Sequence, residues 1–307
     1  MEVIRGINNI KQYRNGVVAI GVFDGVHRAH RRILQNLVQT ARRIKGAGIV
    51  LTFSPHPRKE DSLSSLEHRM RLFEALGVDA GIVLDFNRSF SRITAGHFVR
   101  DVLVKKLDAR YVCVGENFRF GKHAQADALS LRSFGRLYGF GVKIFKTIRF
   151  NGEPVSSTAI RKLIAAGRLA DAKKLLLRPV SVLGSVVKGT SVATDLGFPT
   201  ANLKPDHEVL PPSGVYAANA LLRNKKFPAI AYIGKRTARP AYGGRIKNPR
   251  IVEVHIFSFK RNIYGKDMEV QFIKKIREEK RFSSPQLLIK QIKKDIVSAK
   301  KILLFHS

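Results

Sequence analysis

His27 and His30 stand three residues apart in GVFDGVHRAH, residues 21–30, behind an apolar run and a glycine–aspartate turn. Packing alone does not ask for that order. Imidazoles at the mouth of a helix sit where exposed N–H groups and the helix macrodipole favour anions. Two ring donors there suit a nucleotide's phosphates, and would stabilise the charge that grows as an α–β phosphate bond breaks. A zinc pair is the rival chemistry, although no cysteine or carboxylate cluster completes a tetrahedral set. A solvated turn is the third reading. Further along, VSSTAIRKLI, residues 155–164, sets Ser157 and Thr158 just before a helix that carries Arg161. Those hydroxyls either cap the helix or hold phosphate oxygens, with the Arg161 fork closing on a triphosphate.

The elements around these residues follow from periodicity. GVVAIGVFDG reads as a buried strand ending in a glycine turn, and AHRRILQNLVQTARRIKG as a helix stopped near Gly46. AGIVLTFSPHP, AGIVLDF and RYVCVG read as further strands, with SLEHRMRLFEALGVD and TAGHFVRDVLVKKLDA as the helices between them. LRSFGRLYGFGVKIFK supplies one more helix and strand. Strands alternating with helices predict a parallel, doubly wound sheet, whose ligands sit beyond the carboxyl ends of the strands. STAIRKLIAAGRLADAKKLLLRP reads as two short helices joined at Gly167 and closed by Pro179. Near residue 180 the pattern changes: VSVLGSVVKG, SGVYAANALL, FPAIAYIG and RIVEVHIFSF are short alternating segments between turns, as in an antiparallel barrel or sandwich. SPQLLIKQIKKDIVSAKKILLF adds a long amphipathic C-terminal helix. Two domains are expected, residues 1–178 and 179–307.

Composition narrows the class less sharply. The chain has 307 residues and is 44% hydrophobic, and no apolar stretch approaches the ~20 residues that span a bilayer. MEVIRGINNIKQYRNG has no apolar region of the secretory kind. The single Cys113 reads as a small buried hydrophobe and fits a reducing setting, so a cytoplasmic location is expected. Lys and Arg number 56 against 23 Asp and Glu, a formal charge of +33. Residues 1–178 hold 32 basic and 14 acidic side chains and residues 179–307 hold 24 and 9, so the charge is spread over both halves. A spread of this kind reads as a solvated basic surface rather than a dedicated nucleic-acid groove.

Together the motifs carry a resemblance. GVFDGVHRAH resembles the GxFDGVHxGH signature of the nucleotidylyltransferase superfamily, and TFSPHPR, VGENFRFG and VSSTAIR follow in the order of its flavin-adenylylating branch. GSVVKGTSVATDLGFPTANL, residues 184–203, is similar to the riboflavin kinase signature, with SGVYAANALL, AYIGKR, EVHIFSF, YGKDMEV and IREEKRF after it. The chain thus resembles, over nearly its whole length, the prokaryotic bifunctional riboflavin kinase / FAD synthetase family. The resemblance implies a Rossmann-like nucleotidyltransferase domain followed by an antiparallel β-barrel kinase domain with a C-terminal helix. It implies phosphorylation of riboflavin to FMN, then adenylylation of FMN to FAD with release of pyrophosphate, each with ATP and Mg²⁺.

Residue roles follow from the same resemblance. In the kinase step Glu253 matches the general base, since an alcohol is a poor nucleophile. Thr200 and Asn202 match the pair that orients Mg²⁺ and phosphate, and Gly184, Lys188 and Gly189 the loop on ATP. In the adenylyl transfer His27 and His30 bind the triphosphate with Gly21 and Asp24 of the same signature, and Ser157, Thr158 and Arg161 close over it. His56, Pro57, Asn117 and Arg277 match flavin-contacting positions. Phe118 and Phe120 read as core rather than stacking surfaces. Four positions depart from the family pattern: Ala29 replaces the usual glycine between the histidines, Ala126 a later glycine, and Ala193 and Thr194 a Gly-Arg pair in the kinase loop. The alternative is a monofunctional FMN adenylyltransferase with an impaired kinase domain. A nucleic-acid-binding protein on the same fold is a third reading. Oligomeric state is not legible.

Overall fold

A computed structural model describes residues 1–54, 62–85, 87, 90–188, 196–205, 208–223, 225–235 and 250–305. Its contacts divide the chain into two compact units, Met1–Ser62 with Leu66–Ser157, and Leu63–Ser65 with Thr158–Ser307.

The first unit is built on a six-stranded, wholly parallel sheet of β1 (Glu2–Arg5), β2 (Gly16–Ile20), β3 (Gly48–Ser54), β4 (Ala80–Asp85), β5 (Ala109–Gly115) and β8 (Gly141–Phe145). Two-residue ribbons accompany it, β6 (Arg119–Phe120) with β7 (Ala126–Asp127), and β9 (Arg149–Phe150) with β10 (Glu153–Pro154). Side chains alternate across the pleat. Val17, Ala19, Val50, Val83 and Cys113 face α1 (Arg28–Arg43) and α2 (Leu66–Ala75). Val18, Ile20, Leu51, Ile82, Leu84, Val112 and Val114 face the opposite layer. That layer is α3 (Ala95–His97), the π-helix Phe98–Lys106 that continues it, and α4 (Ala128–Tyr138). With both faces covered, the strands are near-continuous apolar runs, and the expected doubly wound sheet is present. Buried Cys113 has its thiol pushed up to about 11 by burial, as a small core residue should.

Two differences from the sequence reading have physical causes. The segment read as one helix over 94–109 turns α-helical only at Ala95–His97, then widens, with Leu107 N donating to Val102 O at 3.1 Å. The apolar period is kept, so sequence cannot tell the two windings apart. β1 shows no alternation of burial and only Ile4 is buried, so nothing marks it as an edge strand.

Strand order is β1-β4-β3-β2-β5-β8. The chain leaves β2 toward β3 on one side and leaves β5 toward β8 on the other. That reversal opens a crevice at the carboxyl ends of β2 and β5, where open α/β sheets take their ligands.

The second unit is a closed, antiparallel six-stranded barrel in the order β11-β12-β15-β14-β13-β16. The strands are β11 (Val180–Val187), β12 (Ala201–Pro205), β13 (Gly214–Leu222), β14 (Lys225–Lys235), β15 (Arg250–Ile256) and β16 (Asp267–Arg277). Closure removes sheet edges. α5 (Ser157–Ala165) and α6 (Leu169–Leu176) meet at Gly167, whose φ of 74° suits glycine, and α6 lies against β11 and β16. α7 (Pro285–Leu304) begins with Ser284 accepting from Leu287 N and packs on β13, β14 and β16. Leu63–Ser65 joins this unit through Glu208, a fully buried carboxylate accepting from Ser65 N at 2.6 Å and Leu183 N at 3.0 Å.

Gly184 has a packing reason. A Cβ there would lie 2.2 Å from the Lys204 carbonyl oxygen across the β11–β12 ladder. Gly184→Ala is expected to destabilise the barrel by about 1–3 kcal/mol, the cost of forced overpacking, read as a lower urea midpoint in that unit.

Candidate active sites

In the first unit the chain leaves β2 through a turn held in unusual backbone. Phe23 (φ 53°), Gly25 (φ 75°) and Val26 (φ 40°) all lie in the left-handed region. Glycine takes this freely, whereas a β-branched valine does not, and strain of this kind marks functional turns. The turn delivers His27 as the residue before α1, whose first turn carries no carboxylate. Ser157 Oγ donates to the Asp24 carbonyl at 2.9 Å, and Asp24 is itself buried. Gly21 leads into the turn, and a Cβ there would lie 3.2 Å from the Phe23 ring, with no room to spare.

The two imidazoles are brought together. Their rings stack with centroids 3.6 Å apart and 19° between planes, and the Phe23 ring meets His30 edge-on at 5.2 Å. His27 is buried, and His30 Nδ1 is buried with no hydrogen-bond partner among the described residues. Burial, then the His27 neighbour, then the Arg69 charge hold His30 well below the usual histidine value. At neutral pH this imidazole is therefore uncharged and keeps its hydrogen-bonding capacity for something arriving from outside.

Arg69 belongs to none of the sequence motifs. It lies on α2, only 3% exposed. Nη1 donates to the Val22 carbonyl at 2.6 Å and to Thr52 Oγ1 at 3.0 Å. Thr52 Oγ1 also donates to Val22 O, at 3.0 Å. The one signal in the sequence is an arginine on the buried face of an amphipathic helix, at a position that periodicity assigns to apolar residues.

Beside this turn, at the same end of the sheet, lies an apolar cavity of about 550 Å³ lined by Ile20, Phe53, Phe90, Phe98, Phe118 and Phe120 among others. Phe118 and Phe120 stack at 5.3 Å and 13°. Phe120 is buried and Phe118 half-buried, so these rings are core and cavity wall at once. Aromatic faces and a slot of this size suit a planar ring system. Asn117 is exposed in the turn after β5. His56 and Pro57 lie outside the described residues. Thr158 and Arg161 belong to the second unit, where Arg161 Nη2 donates to Thr158 Oγ1 at 3.3 Å.

The second unit's polar site is on the outer surface of the barrel. Val252, Val254 and Ile256 of β15 point inward, so Ile251, Glu253 and His255 point out. Glu253 stands opposite Asn202 on β12 and opposite Tyr232 on β14, placing three oxygen-bearing side chains in one cross-strand row. A cavity of about 300 Å³ over this row is lined by Phe198, Thr200, Tyr232, Glu253, Arg277 and Asp295 among others. Thr200 immediately precedes β12 and shares that cavity with Glu253. Burial pushes the Glu253 carboxyl above the ordinary carboxylate range, and it makes no hydrogen bond among the described residues.

Arg277 is clamped rather than extended. Its Nε and Nη2 each reach Asp295 Oδ2 at 2.9 Å, and Asp295 Oδ1 accepts from Gln291 Nε2 at 2.8 Å. The guanidinium also lies over the Phe282 ring at 5.6 Å. A nearly buried ion pair thus fastens α7 to the barrel and forms one wall of the cavity. Lys188 is exposed just beyond β11. Gly189, Ala193 and Thr194 lie outside the described residues.

Thr200, Asn202 and a carboxylate are hard oxygen donors. No group of three or more His, Cys, Asp or Glu able to hold a metal occurs among the described residues. That donor set fits Mg²⁺, which keeps waters and phosphate oxygens and does not need an all-protein cage.

The chain is, in class, a two-site nucleotide-dependent transferase, with a doubly wound sheet in one unit and a barrel in the other. Residues 9–159 match the family model described as FAD synthetase, and residues 176–303 the one described as riboflavin kinase. The bifunctional riboflavin kinase/FMN adenylyltransferase of Escherichia coli K12 is 37% identical, covering 98% of this chain and 97% of its own. That of Buchnera aphidicola subsp. Schizaphis graminum is 35% identical, covering 98% of both. A crystal structure named as a macrolide-efflux protein of Streptococcus pneumoniae aligns over 98% of this chain and 99% of its own, with a TM-score of 0.80 and 27% identity. No helix among the described residues here is long and apolar enough to cross a membrane. The chain belongs to the bifunctional riboflavin kinase/FMN adenylyltransferase family.

Proposed function

We propose that each unit performs one ATP-dependent step: the barrel phosphorylates riboflavin to FMN, and the parallel-sheet unit adenylylates FMN to FAD with release of pyrophosphate. In the first step the riboflavin 5′-hydroxyl attacks the γ-phosphate of ATP, the bond to the β-phosphate breaks, and ADP leaves. Glu253 takes the hydroxyl proton, a role suited to a carboxyl whose raised pKa makes it the stronger base. Thr200 and Asn202 would hold Mg²⁺ together with the phosphates, where it would supply neutralisation of charge on the transferred group. The flavin ring occupies the cavity walled by Arg277 and Phe198. Gly184, Lys188 and Gly189 match the positions at which the family contacts ATP.

In the second step an FMN phosphate oxygen attacks the α-phosphate. The nucleophile is already anionic, so catalysis is positioning plus charge neutralisation. His27, His30 and the N–H groups opening α1 take the triphosphate, with Gly21 and Asp24 shaping the turn. Ser157, Thr158 and Arg161 complete the family's ATP motif. The phenylalanine-lined cavity takes the flavin ring, with Asn117 and the His56-Pro57 segment as further contacts. Mg²⁺ accompanies ATP in both steps, and a cytoplasmic location fits nucleotide substrates and a lone buried cysteine.

The observation that carries the kinase half is the pairing of Glu253 with Asn202 across β12 and β15, beside Thr200. Incubation with riboflavin, ATP and Mg²⁺ is expected to yield FMN before FAD on chromatography. Conversion of supplied FMN alone would leave only the adenylyltransferase.

ATP binding is expected to take up protons. The free His30 pKa is lowered well below its usual value, and phosphate charge beside it favours the imidazolium. Calorimetry near pH 7 in buffers of different ionisation enthalpy should show net uptake, and His30→Asn should reduce it.

A further inference from the structure

The strained turn that presents the histidines must be over-determined by something, because left-handed phenylalanine and valine do not hold themselves. The structure shows what holds it. Val22 O, one residue before the strained stretch, accepts from both Thr52 Oγ1 and Arg69 Nη1, and Arg69 Nη1 also reaches Thr52 Oγ1. Nη2 lies 3.4 Å from the Phe53 carbonyl at the end of β3. One guanidinium thereby ties α2 to the ends of two central strands.

Its charge is the second half of the observation. A buried guanidinium normally meets a carboxylate in bidentate contact. Among the described residues every Arg69 hydrogen bond goes to a neutral oxygen, and Nε is buried with no hydrogen-bond partner. Asp24 is the acidic group whose charge acts on it, through space. A cation whose hydrogen bonds go to neutral oxygens, beside a turn proposed to hold a polyanion, complements the ligand's charge.

We propose that Arg69 is a positioning residue for adenylyl transfer: it locks the Val22 carbonyl that sets the His27–His30 pair, and its buried charge is held for the triphosphate. The inference rests on the nucleotidyl-transfer reading of this turn. Arg69 is buried and acts through the turn, not by touching substrate. The His30 imidazole reports on it independently, since it faces His27, the Arg69 charge and the Phe23 ring.

The test uses the full chain as wild type, Arg69→Lys and Arg69→Gln. FAD formation from FMN by the wild type tests the underlying reading; the variants test Arg69. Arg69→Gln is expected to lower kcat/KM for ATP about 100-fold, the scale of a small misplacement of catalytic groups. Arg69→Lys should recover at least about tenfold of this, because it restores charge. Riboflavin phosphorylation should stay within about twofold in both, as the other site is untouched. In NMR titrations the His30 midpoint should rise in Arg69→Gln and stay low in Arg69→Lys, since removing a nearby cation favours imidazolium. Equal rates for the lysine and glutamine variants, or an unmoved His30 midpoint in Arg69→Gln, would overturn the proposal. Should Arg69→Gln fail to fold, Thr52→Val removes the second donor to Val22 O while leaving the charge. It is expected to lower kcat for FAD formation with the His30 midpoint unchanged, and a wild-type kcat there would overturn the positioning role.

Discussion

His30→Ala is expected to cut FAD formation from FMN and ATP by about 10²–10³-fold, the scale for losing one donor to developing charge. Riboflavin phosphorylation by the same chain should be unchanged. The size of the effect follows from where the ring sits. It is stacked on His27 at 3.6 Å, and its Nδ1 has no partner to lose among the described residues. Removing it therefore breaks no network, and the loss is charge stabilisation rather than fold. Alanine also leaves a gap beside Phe23, so His30→Asn is the better-packed companion and should be nearly as slow. Coupled measurement of pyrophosphate release and FAD absorbance checks both. A His30→Ala enzyme within threefold of wild type would remove the histidine pair from the mechanism.

The second large effect belongs to Glu253. Glu253→Gln is expected to slow riboflavin phosphorylation by about 10²–10⁴-fold, the contribution of a positioned general base, with FAD formation from supplied FMN intact. Glutamine keeps the shape opposite Asn202 and Tyr232 and removes only the proton acceptor. The pH profile provides a separate check. Burial raises the Glu253 pKa, and the base works only when ionised, so activity should fall as pH drops through a value above the ordinary carboxylate range. In Glu253→Gln that acid limb should vanish. The kinase rate would then depend on pH only through the substrates.

Much of this arrangement is legible in the sequence because it rests on local chemistry. Near-continuous apolar runs mark the central strands, a 3.6-residue period marks α1, and turn residues mark β11, β13, β14 and β15. The histidine turn is legible because Gly25 and the imidazole spacing have no packing explanation. What stays hidden depends on contacts distant in the chain. β12 starts within the PTAN stretch, whose proline and asparagine suit a turn as well, and only pairing with β11 and β15 makes it a strand. β16 carries Glu269 and Gln271 on its outer side and then Lys274 and Lys275 in succession beside a bulge opposite Ala217 and Ala218, which blurs its alternation. Arg69 shows in the sequence only as an arginine at an apolar helical position, and its role emerges when Val22 and Thr52 are folded against it. The compact units also divide at Ser157, earlier than the change in sequence pattern, because α5 and α6 share the helical signature of what precedes them.

The Arg277–Asp295 fastening has a thermal consequence. α7 packs on the barrel and also walls the cavity proposed for riboflavin, so loosening at this ion pair is expected to open the pocket before the barrel melts. On warming, grip on the vitamin should fade several degrees ahead of the main unfolding transition, and saturating riboflavin should bring the two back together.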